Sequence, residues 1–331
     1  MRTSVIGGGS WGSAFALYLG RLGVRTKLWV REEDIFATLR KTRENKTFLP
    51  GHVFPEPVSF YHDLPEAVVS SDVLFTAVPS QFCRPLLSEM GPYVAHGQVV
   101  VSLTKGLEPK SLKRMSQVMD EAFHPFRRPS VAVLSGPSFA KELALGHPTA
   151  VVVASKDIEI ARKVQHLVSS LTLRAYASTD VVGVELCGAM KNVIAIAAGI
   201  SDALEFGLNT RAALITRGLA EMTRLGTHLG ARRETFSGLA GMGDLILTCT
   251  GELSRNHFVG YELGKGRSLK AVLGRMKMVA EGVRTTLSVH DLARRESIEM
   301  PISEQVYQVL YKNKSPKKAI DDLMSRALKN E

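Results

Sequence analysis

The sequence has few cysteines, few aromatic residues and no long apolar segment. Its three cysteines, Cys83, Cys187 and Cys249, are odd in number and are spaced neither as zinc ligands nor as a disulfide framework. We therefore expect buried, reduced thiols in a cytoplasmic protein, and no metal site. No uninterrupted apolar run reaches the ~18 residues of a membrane-spanning helix. Glycines interrupt the apolar stretch after Met1, so we expect neither a signal peptide nor a membrane span.

Long basic blocks are also missing, although the formal net charge is +10. The nearest candidate, residues 314–318, is interrupted by Ser315 and Pro316, and aromatic residues make up only 7% of the chain. These features argue against a nucleic-acid partner. The positive charge fits the attraction of acidic small ligands such as phosphorylated substrates, and most of it is expected to be simply solvated.

The first half of the chain alternates short β-branched runs with amphipathic segments. Strands are predicted at 3–6, 26–30, 73–78, 99–103, 131–134, 150–154 and 173–176, and helices at 11–22, 34–43, 81–90, 111–121, 138–145 and 157–169. Several strands are apolar throughout, which is typical of a parallel sheet covered on both faces. The pattern predicts an α/β fold whose N-terminal domain, residues 1–182, is a Rossmann-like doubly wound parallel sheet.

The strand signal stops after residue 179, and an all-α C-terminal domain is predicted over residues 183–331. Its helices are predicted at 180–200, 209–229, 268–273, 285–296, 301–311 and 316–328. Asn209 is the expected N-cap of the second of these helices, and Gly230 is its expected end. A long glycine-rich loop is predicted at 236–251, and loops of that length in a compact domain are usually functional.

The segment at residues 7–12, Gly-Gly-Gly-Ser-Trp-Gly, follows the first predicted strand and opens the first predicted helix. In this G-x-G-x-x-G spacing, Gly7 permits a tight turn, Gly9 lets the backbone approach a pyrophosphate, and Gly12 lets helix and strand pack closely. The helix N-terminus adds unpaired N–H groups for the anion. The pattern predicts that the N-terminal domain binds a dinucleotide.

Further polar residues follow later predicted strands, where open α/β sheets bind ligands. Arg31 could clamp the 2′-phosphate of NADP, whereas Glu32 could bind the ribose of NAD; NADP is preferred, and a surface Arg–Glu pair is the structural alternative. Lys105 is predicted to be a cation beside the cofactor. Gly136 and Ser138 can offer a backbone N–H and a hydroxyl.

Lys191 is the only charged residue between Glu185 and Asp202, in a predicted helix of small and apolar residues. None of its neighbours at helical spacing can pair with an ammonium group, and a buried unpaired lysine is costly. A bound anion or an acid/base role would explain it, and the alternative is that its stem reaches solvent. Asp244 is a natural partner for it, and Arg255 presents a planar donor fork suited to phosphate.

Two of these polar residues also have a purely structural interpretation. Asp244 could simply cap the helix that follows it, and Ser254 could cap the next one. The sequence alone leaves both interpretations open.

These motifs resemble those of the bacterial-type NAD(P)-dependent sn-glycerol 3-phosphate dehydrogenase family over nearly the whole chain. The matching segments are residues 7–12, Phe-Leu-Pro-Gly at 48–51, Leu-Thr-Lys-Gly at 103–106, Ser-Gly-Pro-Ser-Phe-Ala at 135–140, Glu-Leu-Cys-Gly-Ala-Met-Lys-Asn-Val at 185–193, Gly-Met-Gly-Asp-Leu at 241–245, Ser-Arg-Asn at 254–256 and Ala-Glu-Gly at 280–282. The lysine-bearing and Gly-Asp-Leu segments are specific to the family. Trp11 and Arg31 occupy positions that vary among its members, which leaves the cofactor preference open.

The resemblance implies a cytoplasmic homodimer that interconverts dihydroxyacetone phosphate and sn-glycerol 3-phosphate with NADPH or NADH and supplies phospholipid synthesis. It implies that Lys191 is the general acid/base that protonates the forming alkoxide. The implied substrate-binding residues are Lys105, Gly136, Ser138, Lys191, Asn192, Asp244, Thr248, Ser254, Arg255 and Asn256. The implied dinucleotide-binding residues are Gly7, Gly9, Ser10, Trp11, Gly12, Arg31, Phe82, Lys105, Ala140, Arg255, Val279 and Glu281.

Two alternatives have the same two-domain plan. A 3-hydroxyacid or hydroxyacyl-CoA dehydrogenase would not need the phosphate-binding segment at 254–256. A non-catalytic NADPH-sensing regulator would be expected to have lost Lys191 or Asp244, and both are present.

Overall fold

A computed structural model describes residues 1–123, 129–276 and 278–328 of the chain. Contacts within it divide the chain into two units, which are described separately. The first unit comprises Met1–Lys105 and Lys113–Val184, and the second comprises Gly106–Leu112 and Glu185–Glu331.

The first unit contains an eight-stranded sheet with the strand order β3-β2-β1-β4-β5-β6-β7-β8. The strands are β1 (Thr3–Ile6), β2 (Thr26–Trp29), β3 (Val58–Tyr61), β4 (Val73–Thr76), β5 (Val99–Ser102), β6 (Ser130–Ser135), β7 (Thr149–Ala154) and β8 (Leu173–Ser178). The predicted Rossmann-like α/β fold is confirmed. The edge strand β3 was not predicted, because only one of its four residues is buried.

The expectation of a wholly parallel sheet is wrong at one pair, since β6 and β7 are antiparallel. The helix between them has six residues and spans about 9 Å, whereas a six-residue strand spans about 20 Å. The helix is therefore too short to return the chain along the strand. As a result, β7 starts where β6 ends and runs back beside it.

Helices cover the sheet on both faces, so successive residues of a strand enter different apolar clusters. Val5 and Ile6 of β1 are both buried, one in each cluster. The helices are α1 (Ser10–Arg21), α2 (Glu33–Thr42), α3 (Leu64–Val68), α4 (Ser80–Met90), a 3-10 turn (Gly91–Tyr93), α5 (Met115–Ala122), α6 (Ala140–Leu145) and α7 (Ile158–Val168). The α5 helix begins later than predicted, because Lys110 and Leu112 adopt positive φ angles of 69° and 61°.

From Glu185 onward, the regular elements that the structure describes are helical, which confirms the predicted all-α half; residues 106–112 of the second unit are not helical. Its elements are α8 (Val181–Ala203), α9 (Gly207–His228), α10 (Arg233–Ser237), a π-helical turn (Leu239–Gly243), α11 (Asp244–Thr250), α12 (Arg255–Gly264), α13 (Leu269–Arg275), α14 (Glu281–Arg295), α15 (Pro301–Tyr311) and α16 (Pro316–Met324). The α8 helix has the length and composition of a membrane span, with a mean hydropathy of 1.6, but 89% of its apolar window is buried. Such burial is typical of a core helix.

Three details of the helical half differ from the sequence predictions or confirm them. The predicted loop at 236–251 is wrong, because nearly all of it is helical; Gly241 is needed for close packing, since an added Cβ would lie 2.1 Å from the carbonyl oxygen of Phe236. The predicted N-cap Asn209 is also wrong, since it lies inside α9. Gly230 does end that helix, with a φ of 89°.

Candidate active site

The glycine loop between β1 and α1 combines two tightly packed glycines with an open one. An added Cβ would lie 2.6 Å from the Ala77 carbonyl oxygen at Gly7, whose φ is 127°, and 2.0 Å from the Gly7 carbonyl oxygen at Gly12. At Gly9, which precedes the first turn of α1, it would meet nothing within 4 Å. The loop therefore has a fixed shape and leaves space where a ligand could approach the helix N-terminus.

The residues around this loop fit a bound dinucleotide. Among the described residues, the buried Nε1 of Trp11 is a hydrogen-bond donor without a partner, and such groups normally have one. Ser10 is the first residue of α1, and Ala140 the first of α6. Arg31 follows β2 and is exposed, and Phe82 in the first turn of α4 is 46% exposed.

Lys105 lies beside the predicted partners from the next strand along the sheet. Its Nζ donates to the carbonyl oxygen of Gly136 at 2.8 Å and contacts Oγ of Ser138 at 3.4 Å. The Ser138 hydroxyl donates to the same carbonyl, also at 2.8 Å. At Gly136 φ is 143° and an added Cβ would lie 2.9 Å from Cα of Val151, so this turn requires glycine.

Lys191 is buried in α8 and is held by two residues of α11. Its Nζ donates to Oδ1 of Asp244 at 2.5 Å and to Oγ1 of Thr248 at 2.8 Å, and the Asp244 side chain is only 1% exposed. The Thr248 hydroxyl donates to the Asp244 carbonyl, so the oxygen that faces Lys191 acts as an acceptor. The partner proposed from the sequence is therefore found, and the alternative of a stem that reaches solvent is wrong.

Two buried amides connect the next residues of the site. Nδ2 of Asn256 donates to Oδ1 of Asn192 at 2.8 Å, and Oδ1 of Asn256 accepts the N–H of Gly282 at 2.9 Å. These bonds join α8, α12 and α14. The backbones of α8 and α12 also meet closely, because an added Cβ at Gly199 or Gly260 would lie 2.0 Å from a carbonyl oxygen of the other helix.

Arg255 is the first residue of α12, directly after the residue that caps the helix. Oγ of Ser254 accepts the N–H of His257 at 3.2 Å, so the capping interpretation of Ser254 is correct. Although Arg255 is exposed by surface area, the protein atoms around its guanidinium desolvate it enough to lower its pKa, and the Glu281 carboxylate opposes that shift. Val279 is exposed just before α14.

The cysteines near these residues are buried thiols. Cys187 precedes Lys191 by one turn of α8, and Cys249 follows Thr248 on α11. Burial raises the pKa of Cys249 to about 12, with Lys191 opposing that shift. The Cys249 thiol is therefore not a nucleophile at neutral pH.

The structure thus joins three predicted site residues of the first unit by hydrogen bonds: Lys105, Gly136 and Ser138. In the second unit it forms two hydrogen-bonded groups, one of Lys191, Asp244 and Thr248 and the other of Asn192 and Asn256. One residue that sequence reasoning missed is Asn45, which hydrogen-bonds to the glycine loop. A single polar residue in an irregular segment gives no periodic signal, so only the long-range contact reveals it.

Comparison with known proteins identifies the family of this chain. The family model of the N-terminus of NAD-dependent glycerol-3-phosphate dehydrogenase matches residues 2–161, and that of its C-terminus matches residues 180–321. A glycerol-3-phosphate dehydrogenase (NAD(P)+) of Geobacter sulfurreducens is 52% identical over 330 residues, covering 100% of this chain and 98% of the relative. The crystal structure of glycerol-3-phosphate dehydrogenase from Coxiella burnetii has a TM-score of 0.94 at 38% identity, covering 98% of this chain and 99% of that chain.

The fold, the glycine loop and the buried lysine–aspartate pair define the class of dinucleotide-dependent dehydrogenases with a helical second unit. Within that class, the chain belongs to the NAD-dependent glycerol-3-phosphate dehydrogenase family.

Proposed function

We propose that the protein interconverts dihydroxyacetone phosphate and sn-glycerol 3-phosphate by hydride transfer with NADPH or NADH. The pairing of Lys191 with Asp244 and Thr248 is the observation that carries this proposal. A buried ion pair is weak support for stability, because apolar residues of similar volume often serve as well. An acid/base role explains why a lysine is kept in an apolar helix.

In this proposal, the N-terminal half of the chain binds most of the cofactor. Residues 1–182 would bind the dinucleotide, with its pyrophosphate at the loop of Gly7, Gly9 and Gly12 and the start of α1. Ser10, Trp11, Phe82 and Ala140 would line the cofactor, whose nicotinamide supplies or accepts the hydride.

The cofactor preferred in this proposal is NADP. Arg31 is exposed after β2, where its guanidinium could pair with the 2′-phosphate. Glu281, Val279 and Arg255 are also proposed as dinucleotide-binding residues.

Lys191 would act as the general acid in ketone reduction and as the general base in the reverse direction. Its ammonium would give a proton to the alkoxide forming at C2 of the substrate. The hydrogen bonds to Asp244 and Thr248 fix the position of Nζ before the substrate arrives. Asn192 would help to hold the substrate hydroxyls beside it.

The phosphate of the substrate would be bound by cations and polar groups. Arg255 offers a planar fork of donors that matches phosphate oxygens. Lys105, Gly136 and Ser138 are also proposed as substrate-binding residues, and Asn256 and the Ser254 cap would support Arg255. The lowered pKa of Arg255 is consistent with a guanidinium that gains from an added anion.

The cellular context is part of the same proposal. Buried free cysteines fit a reducing cytoplasm. We propose a homodimer with small phosphorylated substrates, no nucleic-acid partner and no membrane span, which supplies glycerol 3-phosphate for phospholipid synthesis.

The test measures oxidation of NADPH by the purified protein, followed by absorbance, with each of two ketones and without a ketone. We expect oxidation with dihydroxyacetone phosphate, and none with acetoacetyl-CoA or without a ketone. Turnover of acetoacetyl-CoA instead would point to a hydroxyacyl-CoA dehydrogenase. Binding of NADPH without turnover of either substrate would point to a regulator, and each of these outcomes would overturn the proposal.

A further inference from the structure

Asn45 connects the segment between α2 and β3 to the glycine loop. Its side chain is completely buried, and Nδ2 donates to the carbonyl oxygen of Gly8 at 2.8 Å and to Oγ of Ser13 at 2.9 Å. Its Oδ1 accepts the N–H of Phe48 at 3.0 Å. Both N–H groups and the carbonyl oxygen of the amide are therefore used. They join the loop and α1 to the Phe-Leu-Pro-Gly motif at 48–51, which the proposed function does not explain.

These bonds fix the orientation of one peptide in the loop. The Gly8 carbonyl oxygen accepts a second hydrogen bond, from the Ser13 hydroxyl at 3.0 Å. In a planar trans peptide the C=O and the following N–H point in opposite directions, so the N–H of Gly9 is turned away from Asn45. Gly9 is also the residue at which an added Cβ would meet no atom within 4 Å.

The segment that carries Asn45 is anchored by its neighbour Arg43. Arg43 adopts a left-handed conformation with φ of 54°. Its guanidinium donates to the carbonyl oxygens of Phe54 at 2.9 Å and of Pro55 and Val58 at 2.6 Å each. Asn45 therefore projects from a rigid support, and it can hold the glycine loop rather than follow it.

We propose that Asn45 is a positioning residue for dinucleotide binding, which presets the Gly9 N–H toward the pyrophosphate. The proposal rests on the proposed function, because it needs a dinucleotide at this loop. A donor held in place before binding loses less conformational freedom when the ligand arrives, so its main effect is on affinity.

The first test compares Asn45→Ala with a control that loses buried hydrogen bonds elsewhere. We expect the Kd for NADPH, measured by calorimetry at a temperature at which the variant is folded, to rise about tenfold. At saturating NADPH, kcat and the KM for dihydroxyacetone phosphate should stay within about twofold. The control Ser71→Ala removes the buried bond to Oγ of Ser4, before β4, and should lower the melting temperature without changing Kd. An unchanged Kd in Asn45→Ala, or an equal rise in Ser71→Ala, would overturn the proposal.

The second variant is Ser13→Ala, which keeps the proposal testable if Asn45→Ala does not fold. It removes one partner of Asn45 and the second donor to the Gly8 carbonyl, at a helical position where alanine is favourable. We expect a rise in Kd of about threefold, and no rise would contradict the proposal. If the unmodified protein binds neither NADPH nor NADH, the proposed function fails instead.

Discussion

The two units of this protein hold their candidate ligand residues in different ways. In the first unit the residues follow strand ends, and several are backbone groups or exposed side chains such as Arg31 and Phe82. In the second unit they are carried by helices, and Lys191 and Asp244 are buried and already bonded to each other. A ligand can reach the exposed side chains of Arg31 and Phe82 without displacing a buried ion pair. Substitutions of exposed residues such as Arg31 should therefore change affinity, whereas substitutions of the buried Lys191–Asp244 pair should change rate and stability together.

The largest effect is expected for Lys191→Ala. Loss of the proton donor should lower kcat by at least about 10²–10⁴-fold, while the Kd for NADPH stays within about twofold. The buried Asp244 carboxylate would lose its partner, so the free energy of unfolding should fall by about 3–5 kcal/mol. Steady-state kinetics and denaturant unfolding measure the two effects.

The double variant Lys191→Met, Asp244→Leu separates the two consequences. Replacing both charges with apolar groups should restore most of the stability without restoring the rate. Near-normal turnover in either variant would contradict an acid/base role for Lys191.

The next largest effect should come from the glycine loop. There, Gly9→Ala should weaken ligand binding, whereas Gly12→Ala should lower stability. The Gly9 backbone is extended and its Cβ position is open, so alanine there should leave the melting temperature unchanged but weaken NADPH binding about tenfold or more. Alanine at Gly12 would contact the Gly7 carbonyl oxygen and should cost about 1–3 kcal/mol of stability. If the two variants had the same melting temperature and the same affinity for NADPH, the open position at Gly9 would not be where the ligand binds.

A smaller effect on substrate affinity is expected for Arg255→Ala. Loss of a charged donor should raise the KM for dihydroxyacetone phosphate about tenfold to a hundredfold, because such hydrogen bonds contribute about 1.5–3 kcal/mol. Unphosphorylated dihydroxyacetone should be used as before, and so lose its disadvantage. Arg255→Lys keeps the charge without the planar fork, so its KM for dihydroxyacetone phosphate should lie between those of the unmodified protein and Arg255→Ala. An unchanged preference for the phosphorylated ketone would show that other residues bind the phosphate.

The smallest effect is expected for Arg31→Ala, because Arg31 is exposed and its interactions are screened. The kcat/KM for NADPH should fall about tenfold or less, with little change for NADH. The matched variant Glu32→Gln should reduce the use of NADH instead, if that carboxylate binds the ribose. If kcat/KM for NADPH and for NADH were unchanged in both variants, Arg31 and Glu32 would be surface residues without a ligand role.

The sequence predicts the first unit better than the second because strand ends carry a positional rule. Buried strands of apolar residues indicate the sheet, and the polar residues that follow them indicate the ligand face. In the helical half, the sequence predicts a loop at 236–251 where the structure has helices, because a glycine required for packing, such as Gly241, cannot be told from a loop glycine by sequence alone. The bond from Asn45 to Gly8 spans 37 residues, and no local pattern reports it.

The rate at which the buried cysteines are alkylated can measure how often the surrounding helices unfold locally. Because burial raises the pKa of Cys249 to about 12, its thiol stays protonated at neutral pH, and we expect alkylating reagents to modify it only when α11 opens. Cys187 on α8 is equally enclosed, and Cys83 on α4 offers the same readout for the first unit. The labelling rates of Cys187 and Cys249 would then report how often α8 and α11 open locally. The labelling rate of Cys83 would report the same for α4, so that the two opening frequencies can be compared.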